Sequence, residues 1–227
     1  MNWNSQMKPA ELAESRLISA ILDSHFPVNS HLPGERDLAE QLGVTRPTLR
    51  EALQRLARDG WLEINHGKPT RIRNYWTEGN LNVLATIIQY QNHLPENFVS
   101  NLLAIRLLLA PAYTRLAIEN HAQDICDLLC SYKELPDIAE DFTNADWNLH
   151  QRLTILSGNP IFTLILNGFA ELYIVMGHRY FAQPAGRKHS RQFYRDLLEC
   201  ARRKDGVAAE ALVQKIMTDS INLWQQC

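Results

Sequence analysis

Thr45-Arg46-Pro47-Thr48-Leu49-Arg50 decides how this 227-residue chain is read. Thr45 is a good N-cap, and Pro47 falls in the first turn of the following helix, where its missing N–H costs little. Behind this front, Leu49, Ala52, Leu53 and Leu56 recur at helical spacing and predict a buried stripe. Arg46, Thr48 and Arg50 are left on the exposed first turn. A recognition helix needs this division, because Arg forks bond guanine O6 and N7 in the major groove while hydroxyls fix phosphates.

Working outward, Leu12, Leu17, Ile18, Ile21 and Leu22 predict a first helix from about Pro9 to Ser24. Pro33-Gly34 marks a turn before a short helix from Glu35 to Leu42, and Gly43 closes that helix. Arg36 starts this helix beside the recognition helix, within reach of a phosphate or base edge. After Asp59-Gly60, Trp61–Ile64 and Thr70–Arg73 alternate as two strands joined by Asn65-His66-Gly67-Lys68-Pro69. His66, Gly67 and Lys68 form a narrow basic tip suited to the minor groove. Trp61 reads as a core residue. The order is that of a winged helix-turn-helix, and double-stranded DNA is the expected partner. The plainer alternative is a small helical domain with solvated arginines.

Charge distribution supports the first reading. The net charge is only -2, yet residues 45–73 hold seven Arg or Lys against three acids, whereas residues 76–227 hold thirteen basic and sixteen acidic side chains. The four cysteines, Cys126, Cys130, Cys200 and Cys227, are too few and too scattered for a disulfide scaffold. The N-terminal segment is polar, and no apolar run approaches the roughly 20 residues of a membrane span. A soluble cytoplasmic protein without a membrane partner is expected.

Residues 1–73 are assigned to the winged α+β domain, 74–79 to a linker and 80–227 to an all-helical domain. Seven helices are placed near Leu81–Gln91, Glu96–Asn120, Gln123–Tyr132, Pro136–Ser157, Pro160–Phe181, Gly186–Arg203 and Val207–Gln226, an antiparallel all-α bundle. Several polar and aromatic groups fall on its apolar faces. Arg106 interrupts a run of large aliphatic residues, Asp146 and His150 are four apart, Tyr173 and Tyr180 seven apart, and Ser220 and Trp224 share a face. Either they line a pocket for an anionic ligand with an apolar part, or they form a satisfied polar core. Asp146 and His150 make only two metal ligands, fewer than a zinc site needs, so no metal is expected. No catalytic motif occurs, and no enzymatic activity is expected.

The whole chain resembles the fatty acid metabolism regulators (FadR) within the GntR superfamily of bacterial regulators. The residues that carry the resemblance are Leu32-Pro33-Gly34-Glu35-Arg36, Gly43-Val44-Thr45-Arg46, Thr48-Leu49-Arg50-Glu51, Asp59-Gly60-Trp61-Leu62, His66-Gly67-Lys68-Pro69-Thr70, Ser157-Gly158-Asn159-Pro160-Ile161 and His178-Arg179-Tyr180-Phe181-Ala182. The resemblance implies a homodimer on a short palindrome, with long-chain acyl-CoA as the effector that relieves operator binding. It implies DNA contacts at Arg36, Thr45, Arg46, Thr48, Arg50, His66 and Gly67. Effector contacts are implied at Arg106, Tyr173, Tyr180, Asp219, Ser220 and Trp224. Pro47 departs from a threonine of the best-known members, and Ile216 and Met217 replace a tyrosine and a glycine. Metal-binding relatives use one Asp and three His. Asp146 and His150 match two of these, while Tyr194 and Ile216 fall at the others. A regulator answering to another small ligand, such as a carboxylate, and a ligand-independent DNA-binding dimer are the alternatives.

Overall fold

A computed structural model describes residues 7–89 and 97–224. The chain divides into two compact units, Met1–Leu94 and Pro95–Cys227. The expected helix ends at Gln91, Glu96 and Gln226 lie outside the described residues.

In the first unit, α1 (Pro9–Leu22), α2 (Glu35–Leu42) and α3 (Arg46–Asp59) precede a two-stranded antiparallel sheet, β1 (Leu62–Glu63) and β2 (Arg71–Ile72). Gly43 stops α2 at φ 64°, a conformation cheap only without a Cβ, and its N–H bonds back to the Ala39 and Glu40 carbonyls. The Thr45 hydroxyl accepts from the Thr48 N–H at 3.4 Å and so caps α3. Leu49, Ala52, Leu53 and Leu56 are buried, as their spacing predicts. They pack with Leu17, Ile18, Ile21, Leu38, Trp61, Leu62 and Ile72 in one core. The sheet is shorter than its sequence pattern, but it gains an edge: His31 bridges Arg71, the Leu32 N–H donates to Thr70 O, and the Ile72 N–H donates to Ser30 O.

The division by packing falls later in the chain than the expected boundary at residue 73. Asn74–Gly79 is not a free tether, because Tyr75–Glu78 forms a helical turn, α4, whose Tyr75 ring packs 4.8 Å from Trp61. Arg71 fastens that turn to the sheet, bonding Glu63 at 2.7 Å and Glu78 at 2.6 Å. The following helix α5 (Leu81–Gln89) buries Val83 and Ile87 in the same core. Val83 and Ile87 thus place α5 in the core of the winged unit.

The second unit contains α6 (Phe98–Ser131), α7 (Ala139–Leu156), α8 (Pro160–Asn167), α9 (Ala170–Ala182), α10 (Pro184–Arg202) and α11 (Gly206–Trp224). α6 holds two expected helices, and the non-helical backbone of His121 (φ -142°, ψ 45°) breaks it between Asn120 and Gln123, where their boundary is expected. One expected helix is two, since α8 and α9 bend by 67° at Gly168-Phe169. α6 packs against α7, α10 and α11 and buries Ala110, Tyr113, Ala117 and Ile118. Its composition alone meets the length and hydropathy of a bilayer span, which the reading of uninterrupted apolar runs did not anticipate. The folded unit uses it as a core helix carrying Arg106.

Gly60 sits at φ 98°, and a Cβ there would lie 3.0 Å from Gly79 Cα and 3.2 Å from Asn80 N. Gly34, at φ -56°, has no heavy atom within 4 Å of such a Cβ. Gly60→Ala is expected to destabilise the winged unit by about 1–3 kcal/mol. Gly34→Ser is expected to stay within about 0.5 kcal/mol of the parent. Denaturant unfolding of both variants checks the contrast.

Candidate functional site

The exposed front of α3 presents Arg46, Pro47 and Arg50, with Thr45 exposed at the cap and Thr48 half-buried behind it. The Thr45 and Thr48 hydroxyls lie 2.9 Å apart, so local bonding already orients one of them. Arg50 Nε donates to Glu35 at 2.7 Å, tying α3 to α2, and Arg36 pairs with its neighbour Asp37 at 3.3 Å. Arg46 has no ion-pair partner among the described residues. His66, Gly67 and Lys68 are exposed at the hairpin tip, with Gly67 at φ 73°. Other basic residues counted with this face are used inside the fold. Arg55 is held by Glu51 and Glu14, and Arg71 by Glu63 and Glu78.

In the second unit α6, α7, α8, α9, α10 and α11 line a cavity of about 140 Å³. Leu102, Leu109, Phe162, Leu166, Leu172 and Met176 give it apolar walls. Of the eight effector residues expected from sequence, Arg106, Asp146, Tyr173, Tyr180, Ser220 and Trp224 line it. His150 stands behind Arg106, and Asp219 lies beside His189, 3.9 Å from its Nε2. The Ser220 hydroxyl donates to Ile216 O at 2.8 Å, so its proton is spent on the helix.

One wall of the cavity is a polar cluster. Arg106 Nη2 lies 3.1 Å from Asp146 Oδ2, 2.6 Å from His150 Nε2 and 2.8 Å from the Tyr173 hydroxyl. The Tyr173 and Tyr194 hydroxyls donate to Asp146 at 2.5 and 3.0 Å. Burial works against charge on Arg106, but Tyr173 and Asp146 outweigh it and keep the guanidinium protonated. Burial also raises the Asp146 carboxyl, yet Arg106 overcomes this and the net shift is downward. For His150, burial and then Arg106 both oppose a positive charge and pull its pKa down to about 3. The imidazole is therefore neutral near pH 7.

The tautomer follows from the donors. A guanidinium only donates, so His150 Nε2 must accept, and the ring proton resides on Nδ1. Nδ1–H then donates to the Tyr113 hydroxyl, 2.7 Å away. Tyr113, Tyr194 and His189 were not among the residues picked from sequence for this site. Tyr113 lies seven residues from Arg106 and shares its helix face, the only signal that pointed to it.

Residues 73–227 match the FadR C-terminal domain, and residues 9–72 match the bacterial regulatory proteins of the gntR family. The chain belongs to the FadR family of GntR-type regulators. It is 43% identical to the fatty acid metabolism regulator protein of Shewanella sp. (strain MR-4) over 96% of this chain and 90% of that one. It is 45% identical to the protein of the same name from Yersinia pestis (strain Pestoides F) over 83% of this chain and 79% of that one. The solved structure of Lar from Listeria monocytogenes shares the fold, with a TM-score of 0.63 at 16% identity over 98% of this chain and 99% of that one. This FadR-family chain is a transcription regulator of fatty acid metabolism. Its family boundary falls at residue 72, whereas α4 and α5 pack physically on the winged core.

The buried cluster makes stability of the FadR-type helical unit depend on pH. His150 titrates near 6.5 when unfolded and near 3 when folded, so the unfolded chain takes the proton first. Its contribution is complete above pH 6.5 and is lost as pH falls from there toward 3. Asp146, with its folded pKa depressed, adds a further loss as pH falls through that value. In calorimetry the helical unit should lose up to about 1.4 kcal/mol per pH unit from this proton below pH 6.5. His150→Phe should flatten that slope between pH 6.5 and 4.5, whatever its absolute stability.

Proposed function

We propose that this regulator binds operator DNA as a homodimer in the cytoplasm and that long-chain acyl-CoA, bound in the helical unit, relieves that binding. It has no catalytic role in this reading. The observation that carries it is the largely apolar cavity, closed on one wall by the Arg106–Asp146 cluster, in a domain of the FadR family. An acyl chain supplies apolar surface for the cavity, at about 0.8 kcal/mol for each buried methylene.

On DNA, Arg46 and Arg50 read base edges, and Thr45, Thr48 and Arg36 fix phosphates. His66, Gly67 and Lys68 approach the minor groove. Arg50 must exchange Glu35 for DNA, an exchange that favours a strong bidentate acceptor such as guanine. Arg46 has no such bond to give up.

A second reading rests on Met217, which is 4% exposed and lines the cavity beside Ile216. A bulky side chain there favours a smaller ligand, such as a short carboxylate, over an acyl-CoA. Fluorescence titration of labelled operator DNA with and without oleoyl-CoA separates the two. A coupling of about 1.4 kcal/mol would weaken operator binding tenfold. Unchanged operator affinity despite calorimetrically confirmed oleoyl-CoA binding rules out the acyl-CoA switch.

The DNA assignments carry their own test. Arg46→Ala should cost about 1–3 kcal/mol and relax preference at one base position. Lys68→Ala should weaken all sequences evenly and lower the salt slope by about one. Filter binding at several salt concentrations measures both. An Arg46 variant with unaltered affinity and preference would overturn the assigned face of α3.

A further inference from the structure

Seven of the thirteen basic side chains of residues 76–227 fall within residues 187–204, where only two acids occur. The remainder of 76–227 holds six basic and fourteen acidic residues. The positive charge of the helical unit is therefore gathered on α10 and the turn after it. One face of that helix, from Arg191 through Arg195 to Arg202, forms a wall of a groove of about 370 Å³. The 3-10 turn Tyr132–Glu134 brings Lys133 to the same groove. No residue that lines it also lines the cavity around Arg106.

Among the described residues, four cations and two acids line the groove. Glu199 is held by Arg202 at 2.6 Å, and Asp196 accepts from Gln192, one turn back on α10, at 2.8 Å. Arg191 donates to Leu135 O at 3.3 Å and lies 3.6 Å from Asp137. Its guanidinium also covers the Phe142 ring at 5.0 Å. Both lining acids are thus engaged by neighbours on their own helix. The side chains of Lys133 and Arg195 are exposed and have no ion-pair or hydrogen-bond partner among the described residues.

The floor is apolar. Leu129, Tyr132, Tyr194 and Leu198 are buried there. Both phenol protons are spent inside the fold, Tyr132 donating to Ala145 O at 2.8 Å and Tyr194 to Asp146 at 3.0 Å. What these residues offer the groove is ring and aliphatic surface. Two uncompensated cations above such a floor suit a molecule with an anionic end and an apolar or flat body. A phosphate ester carries close to two negative charges and enough oxygens for an Arg fork and a Lys together, which one carboxylate does not. Arg191 to Arg202 covers about 16 Å of helix, long enough for a nucleotide-sized molecule lying along it. We propose that this groove is a second ligand site of the helical unit, for a phosphorylated small molecule whose phosphate sits between Lys133 and Arg195. The body of the ligand lies on Tyr132 and Leu198. The site stands independently of the effector reading of the other cavity.

ADP is the probe, with adenosine and pyrophosphate as its two parts. Calorimetry on the full chain at pH 7.5 should show ADP binding once per chain, pyrophosphate binding more weakly and adenosine not binding. Lys133→Ala and Arg195→Ala should each weaken ADP about three- to tenfold, and Arg195→Lys should keep it within about threefold. Both residues are exposed and unpaired, so denaturation midpoints should stay where they are. Arg46→Ala, in the winged unit, should leave ADP binding unchanged. Phosphate chemistry has two sources here, a free phosphorylated molecule or the phosphate end of an acyl-CoA whose chain enters the other cavity. Because the two linings are disjoint, saturating oleoyl-CoA should leave ADP binding intact. No binding of ADP, pyrophosphate binding as tightly as ADP, or ADP binding unaltered when Lys133 and Arg195 are both alanine would each overturn the proposal. So would loss of ADP binding in Arg46→Ala, or displacement of ADP by oleoyl-CoA, which would assign the groove to the phosphate end of the acyl-CoA.

Discussion

A guanidinium placed inside a helical unit must find acceptors and a counter-charge, or it destabilises the fold that encloses it. Arg106 meets that constraint through Nη2, on which four helices converge, while its buried Nε has no hydrogen-bond partner among the described residues. It comes from α6, its carboxylate and imidazole from α7, one phenol from α9 and another, through Asp146, from α10. Each partner is itself satisfied: Tyr113 receives the His150 proton, and Tyr194 fills the remaining oxygen of Asp146. The cluster thereby adds directional bonds that fix the relative register of these helices, alongside bonds such as Tyr132 Oη to Ala145 O. It also leaves the wall at Arg106 and Asp146 polar in a cavity lined mostly by apolar side chains.

The winged unit solves a different electrostatic problem. A basic face attracts DNA only if its charges are not consumed internally, and several are. Arg71 is the junction of the sheet, the α4 turn and Asn29, and Arg55 is folded onto acids of α1 and α3. These residues give the unit its shape. Arg46 and the hairpin tip retain their charge for a partner, while Arg50 is held in reserve by Glu35. Such temporary pairing lowers attraction to nonspecific phosphate more than to a base edge offering two acceptors, because only the latter replaces the lost bond in full.

How far the sequence was legible tracks the range of the interactions concerned. Gly43, Thr45 and Pro47 act within one turn of their own helices, and the α2–α3 junction was read from them correctly. Ser157-Gly158-Asn159-Pro160 was equally clear, since the Asn159 side chain caps α8 by accepting from the Ile161 N–H at 3.1 Å. The α8–α9 bend was hidden because Leu164-Ile165-Leu166 continues an apolar helical pattern up to Gly168, the single local warning. The allegiance of α4 and α5 was also illegible, as it depends on Val83 and Ile87 meeting a core formed some twenty and more residues earlier in the chain. In the cavity, residue types identified Arg106, Asp146 and Tyr173. They gave no means of knowing that His150 would back the guanidinium.

The arrangement around Arg106 also weighs the possible ligands. Its Nη2 lies between Asp146 and His150, the two side chains that match metal ligands in other members of the superfamily, so an internal cation already satisfies them. The cluster sums to zero charge: one guanidinium, one carboxylate, a neutral imidazole and neutral phenols. A free carboxylate brought against this wall would bury a negative charge with no net positive charge to receive it. Only displacement of Asp146 from Arg106 would relieve that, at the cost of stranding a second carboxylate. A thioester placed there brings dipoles and no charge. On the proposed reading of the cavity as an acyl site, the electrostatics of this wall favour an esterified acyl group over a free acid and oppose the steric argument from Met217.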